Sequence, residues 1–228
     1  MYSIEDSVKC PHKDPPLKSQ FKEHAITKIT AFHESELREQ AKYNSCMEYL
    51  NVSVKGLRGR HHPAISGLIT AEDVNLSRSH IKMLSGDFFT YQKKSNQSGG
   101  SPHCRVCGDP SENETIFHIL ITCSAYIELR RKVIQQFENI CTTNQMFFDF
   151  QHIKSNSKEM CQFLLDPTSL NLKYRINPSD PNVNSYFQLS RRYCNSVNTS
   201  RLNILMLKQK NQNIWKYLLF LLFCNPSL

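Results

Sequence analysis

Four residues able to bind a soft or borderline metal ion fall close together: Cys104, Cys107, His118 and Cys123, in the pattern C-x2-C-x10-H-x4-C. If they meet at one ion, the backbone between them has little freedom. A C-x2-C pair reaches a single ion because a tight turn points both sulfurs the same way, and Gly108-Asp109-Pro110 supplies breaker residues directly after it. Ser111 and Glu114 have the spacing of a capping box, which predicts a short helix from about Asn113 carrying His118. On a continuous α-helix, residues five apart are displaced by about 140° around the axis. His118 and Cys123 can therefore share an ion only if the helix ends or loosens before Thr122. A closed shell of thiolates and imidazole is what zinc takes in a structural role. Two alternatives stay open: buried thiols in register by chance, or His103 as the nitrogen donor, at a worse spacing.

The nine cysteines are odd in number and form one tight cluster, unlike a secreted disulfide framework. Residues 1–6 are polar and carry no apolar leader core. Both point to a reducing, intracellular setting, nuclear or cytoplasmic, in which thiols stay available for metal. A net charge of +8 favours a polyanionic partner, RNA or DNA. Apolar residues make up only 39% of the chain, which predicts loose stretches and no large compact core.

Along the chain the pattern is mainly α: small helical segments around the Cys/His knot, with loose tails and loops. Residues 1–16 read as a polar tail ending in Pro15-Pro16. Residues 17–70 hold weakly apolar helix and a basic loop with Arg58 and Arg60, able to clamp phosphates or to be a solvated turn. Residues 71–145 are the module proper. Thr70 caps a helix running to Gly86, Ser95–Pro102 reads as a linker, and a clear amphipathic helix follows Cys123. Residues 146–212 form a helical C-terminal segment. Ser157 caps a short helix there, and a longer one has Arg191, Arg192 and Arg201 outside and a frayed end at Lys208 and Lys210. Residues 213–228 are an apolar tail. Its run 214–224 is too short for a membrane span, which needs about 20 residues, and reads first as a packing strand.

Candidate nucleic-acid contacts cluster around the knot. Lys93, Lys94, Arg105, Arg130 and Arg131 offer phosphate contacts, and Phe88, Phe89 and Tyr91 offer rings for base stacking. The plainer readings are a solvated helix face for the cations and a mini-core for the aromatics.

The cluster and its flanks resemble the C-terminal Cys/His region, CCHC and zinc-knuckle-like, of non-LTR (LINE-type) retrotransposon reverse transcriptase polyproteins. The resemblance rests on Cys104, Cys107, Glu114-Thr115, His118 and Cys123, on Leu84-Ser85-Gly86 through Tyr91 upstream, and on Tyr126 and Arg130-Arg131 downstream. It covers roughly Ile81 to Ile140, and the Cys107–His118 interval is longer than family members usually show. The resemblance implies zinc on Cys104, Cys107, His118 and Cys123, favouring His118 over His103. It further implies a transposable-element protein that helps hold RNA or DNA during target-primed reverse transcription, beside the rest of a polyprotein. The family's full-length members are RNA-directed DNA polymerases. This chain has no Y/F-x-D-D polymerase signature, no restriction-like P-D with (E/D)-x-K after Cys123, and no glycine-rich phosphate loop. The expectation is a non-catalytic module, with a structural or protein-interaction zinc module as the alternative.

Overall fold

A computed structural model describes residues 18–43, 48–50, 62–66, 68, 70–171, 173, 174, 176 and 182–224, with side chains of the last helix described as far as 210. The polar tail 1–16, Arg58, Arg60 and the loop 177–181 lie outside the described residues. The fold is mainly α. Its helices are α1 (Lys18–Tyr43), α2 (Pro63–Ser66), α3 (Ala71–Leu84), α4 (Tyr91–Ser98), α5 (Ile127–Thr143), α6 (Phe147–Ser155), α7 (Ser157–Leu165) and α8 (Asn182–Cys224). Among the described residues the one extended pairing is an isolated bridge between His103 and Asn113.

Local chemistry sets most boundaries. Thr70 and Asp73 form a full capping box on α3, as their spacing predicts. Thr90 caps α4, which takes in Ser95–Ser98, so the first half of the expected linker is helix; Gly99 and Gly100, at φ 74° and 102°, end it. Asn156, rather than Ser157, caps α7, because its side-chain oxygen reaches the N–H groups of Lys158 and Glu159.

α8 is the element against which α2, α3, α5 and α7 pack. No glycine or proline interrupts its sequence from Asn182 to Cys224, so nothing stops the helix. Neither a frayed end at Lys208–Lys210 nor a strand at 214–224 forms; the apolar run continues the helix. Among the described residues no helix is long and apolar enough to cross a membrane. The buried stripe Val183, Phe187, Ser190, Cys194, Val197 and Arg201 repeats in steps of four and three. Arg201 falls on this stripe and Arg191 next to Ser190 at its edge, and both are buried, not outside. Arg191 donates to the Ala64 carbonyl at 2.8 Å, and Arg201 meets a buried carboxylate described below.

The core is larger than composition suggests. Buried side chains from Ala64 to Val197 form one continuous cluster that includes Cys104 and Cys123. Phe137 of α5, Phe150 of α6, Phe163 of α7 and Tyr186 of α8 meet ring to ring, with Phe163 lying 5.2, 5.5 and 5.6 Å from the other three centroids. Fully buried His80 ties α3 to α7 through Nε2, 2.7 Å from the Leu165 carbonyl, and burial pushes its pKa down to about 4.

Candidate metal centre

The ligand loops begin with a short hairpin. Cys104 N–H donates to Glu112 O at 2.9 Å and Glu114 N–H to Pro102 O at 2.9 Å, either side of the His103–Asn113 bridge. At its tip, Gly108 N–H donates to Cys104 O at 3.0 Å with φ at 78°, a left-handed position suited to glycine. The Cys104 sulfur faces the backbone N–H groups of Val106 and Cys107, that of Cys107 faces Asp109, and that of Cys123 faces Ala125. These donors stabilise thiolate over thiol.

The capping box expected of Ser111 and Glu114 does not form. Ser111 donates through N and Oγ to Asp109 Oδ1 at 2.9 and 2.6 Å, and Glu114 turns inward. Thr115 takes over as cap, its Oγ1 accepting His118 N–H at 2.9 Å. From His118 to Thr122 the chain then adopts a π-turn, closed by Cys123 N–H to His118 O at 2.7 Å. This is the loosening the spacing demands. A π-helix has about 4.4 residues per turn, so five residues rotate by only about 50° beyond a full circle, and His118 and Cys123 come to one side.

The ligand atoms of Cys104, Cys107, His118 and Cys123 lie within 4.8 Å of one another, and this Cys3His group can hold a metal ion. His118 Nε2 is 3.6 Å from Cys107 Sγ, while Nδ1 meets Glu112 Oε2 at 3.1 Å and Thr122 Oγ1 at 3.0 Å. A carboxylate on the far nitrogen fixes the ring and raises the basicity of the ligand nitrogen. His103 stays in the hairpin bridge and outside the group. The hydrogen bond from Cys123 pulls the Cys104 thiol down to about 4, helped by the N–H groups of Cys107 and Val106 against desolvation. Cys123 is pushed up by that same bond and by burial, and Cys107 by burial first.

Residues from distant segments brace the ligand loops. Glu114, fully buried, accepts Arg201 Nε at 3.0 Å and Nη2 at 2.8 Å as a two-pronged pair, and also Tyr91 N–H at 2.7 Å. The Arg201 guanidinium lies 5.7–5.8 Å from the ring centroids of Phe88, Phe89 and Tyr91. Lys208 donates to the carbonyls of Arg105 and Val106 at 2.8 and 3.1 Å, and Tyr193 to Leu120 O at 2.8 Å. Sequence reading missed Glu112, Glu114 in this role, Arg201 and Lys208. For Arg201 a signal existed, its place in the four-three stripe of α8.

The expected nucleic-acid contacts divide. Arg105 is exposed, 4.4 Å above the Tyr91 ring, and Lys94 is exposed. Phe89 is 52% exposed and Tyr91 half-buried. Phe88 is 4% exposed and belongs to the core. Arg130, expected to face phosphates, instead donates to Leu120 O at 2.9 Å and Cys123 O at 2.6 Å, because the π-turn leaves carbonyls that need a donor. Lys93 donates to Gly86 O at 2.7 Å with Asp87 nearby, and exposed Arg131 pairs with Glu128 at 2.7 Å. No family model, curated protein or solved structure matches this chain.

Proposed function

We propose that this chain is a non-catalytic zinc module that holds nucleic acid, similar to the C-terminal Cys/His region of a non-LTR retrotransposon reverse transcriptase protein. The observation that carries the reading is the convergence of three thiols and one imidazole around a π-turn. With Zn–S bonds of about 2.3 Å, sulfurs of a tetrahedral shell sit about 3.8 Å apart. The ligand atoms here spread over no more than 4.8 Å, so small side-chain shifts close the shell. The N–H groups aimed at the sulfurs and the Glu112 carboxylate behind His118 suit the same ion.

Beside the cluster, Arg105 and Lys94 offer exposed cations and Phe89 an exposed ring. Phosphates meet the cations and unpaired bases stack on the ring. A catalytic role is left out because acidic side chains near the core carry structural bonds: Glu114 with Arg201, Asp166 with Thr168, Asp73 with Thr70.

Fluorescence anisotropy with single-stranded RNA and DNA tests the reading. Contacts from Arg105 and Lys94 predict a log–log salt slope of about −1.4 for single strands, and Arg105→Ala reduces its magnitude by about 0.7. Binding that ignores salt, or none at low salt, defeats it. The second reading, a protein-interaction module braced by zinc, draws on exposed Ile26, Ile29 and Phe32 along α1 and on the cations spent internally. Its signature is zinc-dependent folding without nucleic-acid affinity.

A further inference from the structure

From Phe88 to Gln92 successive side chains serve two sides. Phe89 and Tyr91 meet Arg201, Phe88 lies between Arg201 and a cavity, and Phe88, Thr90 and Gln92 line that cavity, of about 220 Å³, between α3, α4 and the Thr115–Phe117 turn. We infer that this cavity receives a single unpaired base of a bound strand, guanine in preference; the inference rests on the nucleic-acid reading above.

Size is the first argument. Pockets for drug-sized ligands run from about 300 Å³ upward, so this one takes a flat ring system without its sugar and phosphate. The lining is the second. Met83, Phe88, Ile116 and Phe117 give apolar and aromatic surface for a base face, and the polar groups gather as Glu48, Gln92 and Asn96. Gln92 Nε2 donates to Asn96 Oδ1 at 2.9 Å, which leaves the Gln92 carbonyl and an Asn96 N–H for a ligand edge. Glu48 is exposed and lines the cavity, and the two oxygens of a carboxylate can accept two adjacent N–H groups of a ligand. Guanine presents such a pair on its Watson–Crick edge; adenine, cytosine and uracil do not. Lys93 also lines the cavity, but its ammonium is already held by the Gly86 carbonyl with Asp87 at 3.7 Å, and the Glu48 carboxylate in the lining repels an anion, so the chemistry favours a base over a phosphate.

The test uses the full zinc-loaded chain and labelled octauridylates carrying a central guanine, adenine or abasic site, at one salt concentration. Guanine should bind about tenfold tighter than the abasic strand. Glu48→Gln should remove the preference while leaving abasic affinity and salt slope unchanged; Phe117→Ala should do the same. Equal affinity for all three strands, or a preference that survives Glu48→Gln, overturns the inference. If no strand binds, the nucleic-acid reading fails, and an NMR titration with guanosine alone decides the cavity. Shifts confined to the Gln92, Asn96 and Phe117 amides support a base site, and their absence rejects it.

Discussion

Where α5, α6, α7 and α8 meet, four rings from four helices fill the space, with Phe163 touching the other three. Where the Cys104–Cys123 segment meets the same α8, Ile119 and Leu120 are buried in the common core, but the directed contacts are an Arg201–Glu114 pair, a Tyr193 hydroxyl and a Lys208 ammonium, each aimed at a named acceptor. Both regions are buried, yet the forces differ. Dispersion and apolar burial are non-directional and tolerate small shifts. Polar contacts out of water are worth little when made and cost much when one partner is lost. The ring-packed half should therefore stand without the metal, and the ligand half should be conditional on it.

The largest effect expected is from removing the ion. Zinc bound to small folding units contributes an apparent 10–16 kcal/mol or so, nearly all of it as folding energy. Chelation, or His118→Ala with Cys123→Ser, should abolish hydrogen-exchange protection across residues 101–126 while amides of α6 and α7 keep theirs. Global unfolding on chelation would erase the distinction between the halves. Full zinc occupancy in the double variant would sink the ligand assignment.

One step down, the halves can be set against each other with two truncations of similar cost. Glu114→Ala strands the Arg201 charge and should cost about 3–5 kcal/mol. Phe163→Ala opens a cavity and should cost about the same. Their metal affinities should part. Loss of the brace beside Cys104 should weaken zinc binding by about 10-fold or more, in the range of other outer-shell losses. Phe163→Ala should leave it nearly unchanged. A Glu114→Leu, Arg201→Met pair should recover much of the stability, since an apolar replacement removes both charges together. Competition with a chromophoric chelator reads the affinities; urea midpoints read the stabilities.

What was legible in the chain follows the same division. The α-rich character, the box at Thr70 and the α5 stripe come from local periodicity and caps, which act over a few residues. The ligand group was legible because C-x2-C and H-x4-C are short-range patterns, and even the need for a loosened helix followed from the angle between His118 and Cys123. The partners of Glu114, Arg130 and Lys208 were not. Arg201 and Lys208 reach the ligand loops from about 90–100 residues downstream, and no window of sequence carries that proximity. Composition also misled: α8 buries arginines whose charges are met by carbonyls and a carboxylate, so a chain of modest apolar content still closes a continuous core.

The smallest effect isolates how a strong local pattern is overruled. Thr70-x-x-Asp73 and Ser111-x-x-Glu114 carry the same capping spacing, but only the first forms a box. The reason is competition for the acidic side chain. Asp73 has Thr70 Oγ1 at 2.8 Å and the Thr70 N–H at 3.0 Å. Glu114 is drawn instead to Arg201, where a buried, two-pronged, charge-assisted pair outweighs one exposed cap. Thr70→Ala should then cost about 1 kcal/mol, as loss of a cap does. Ser111→Ala, which removes only a surface contact to Asp109, should stay within about 0.5 kcal/mol. Equal shifts in the urea midpoints of the two variants would mean that Glu114 caps the ligand turn in solution, and with it the Arg201 brace, the main polar tie between the two halves, would be gone.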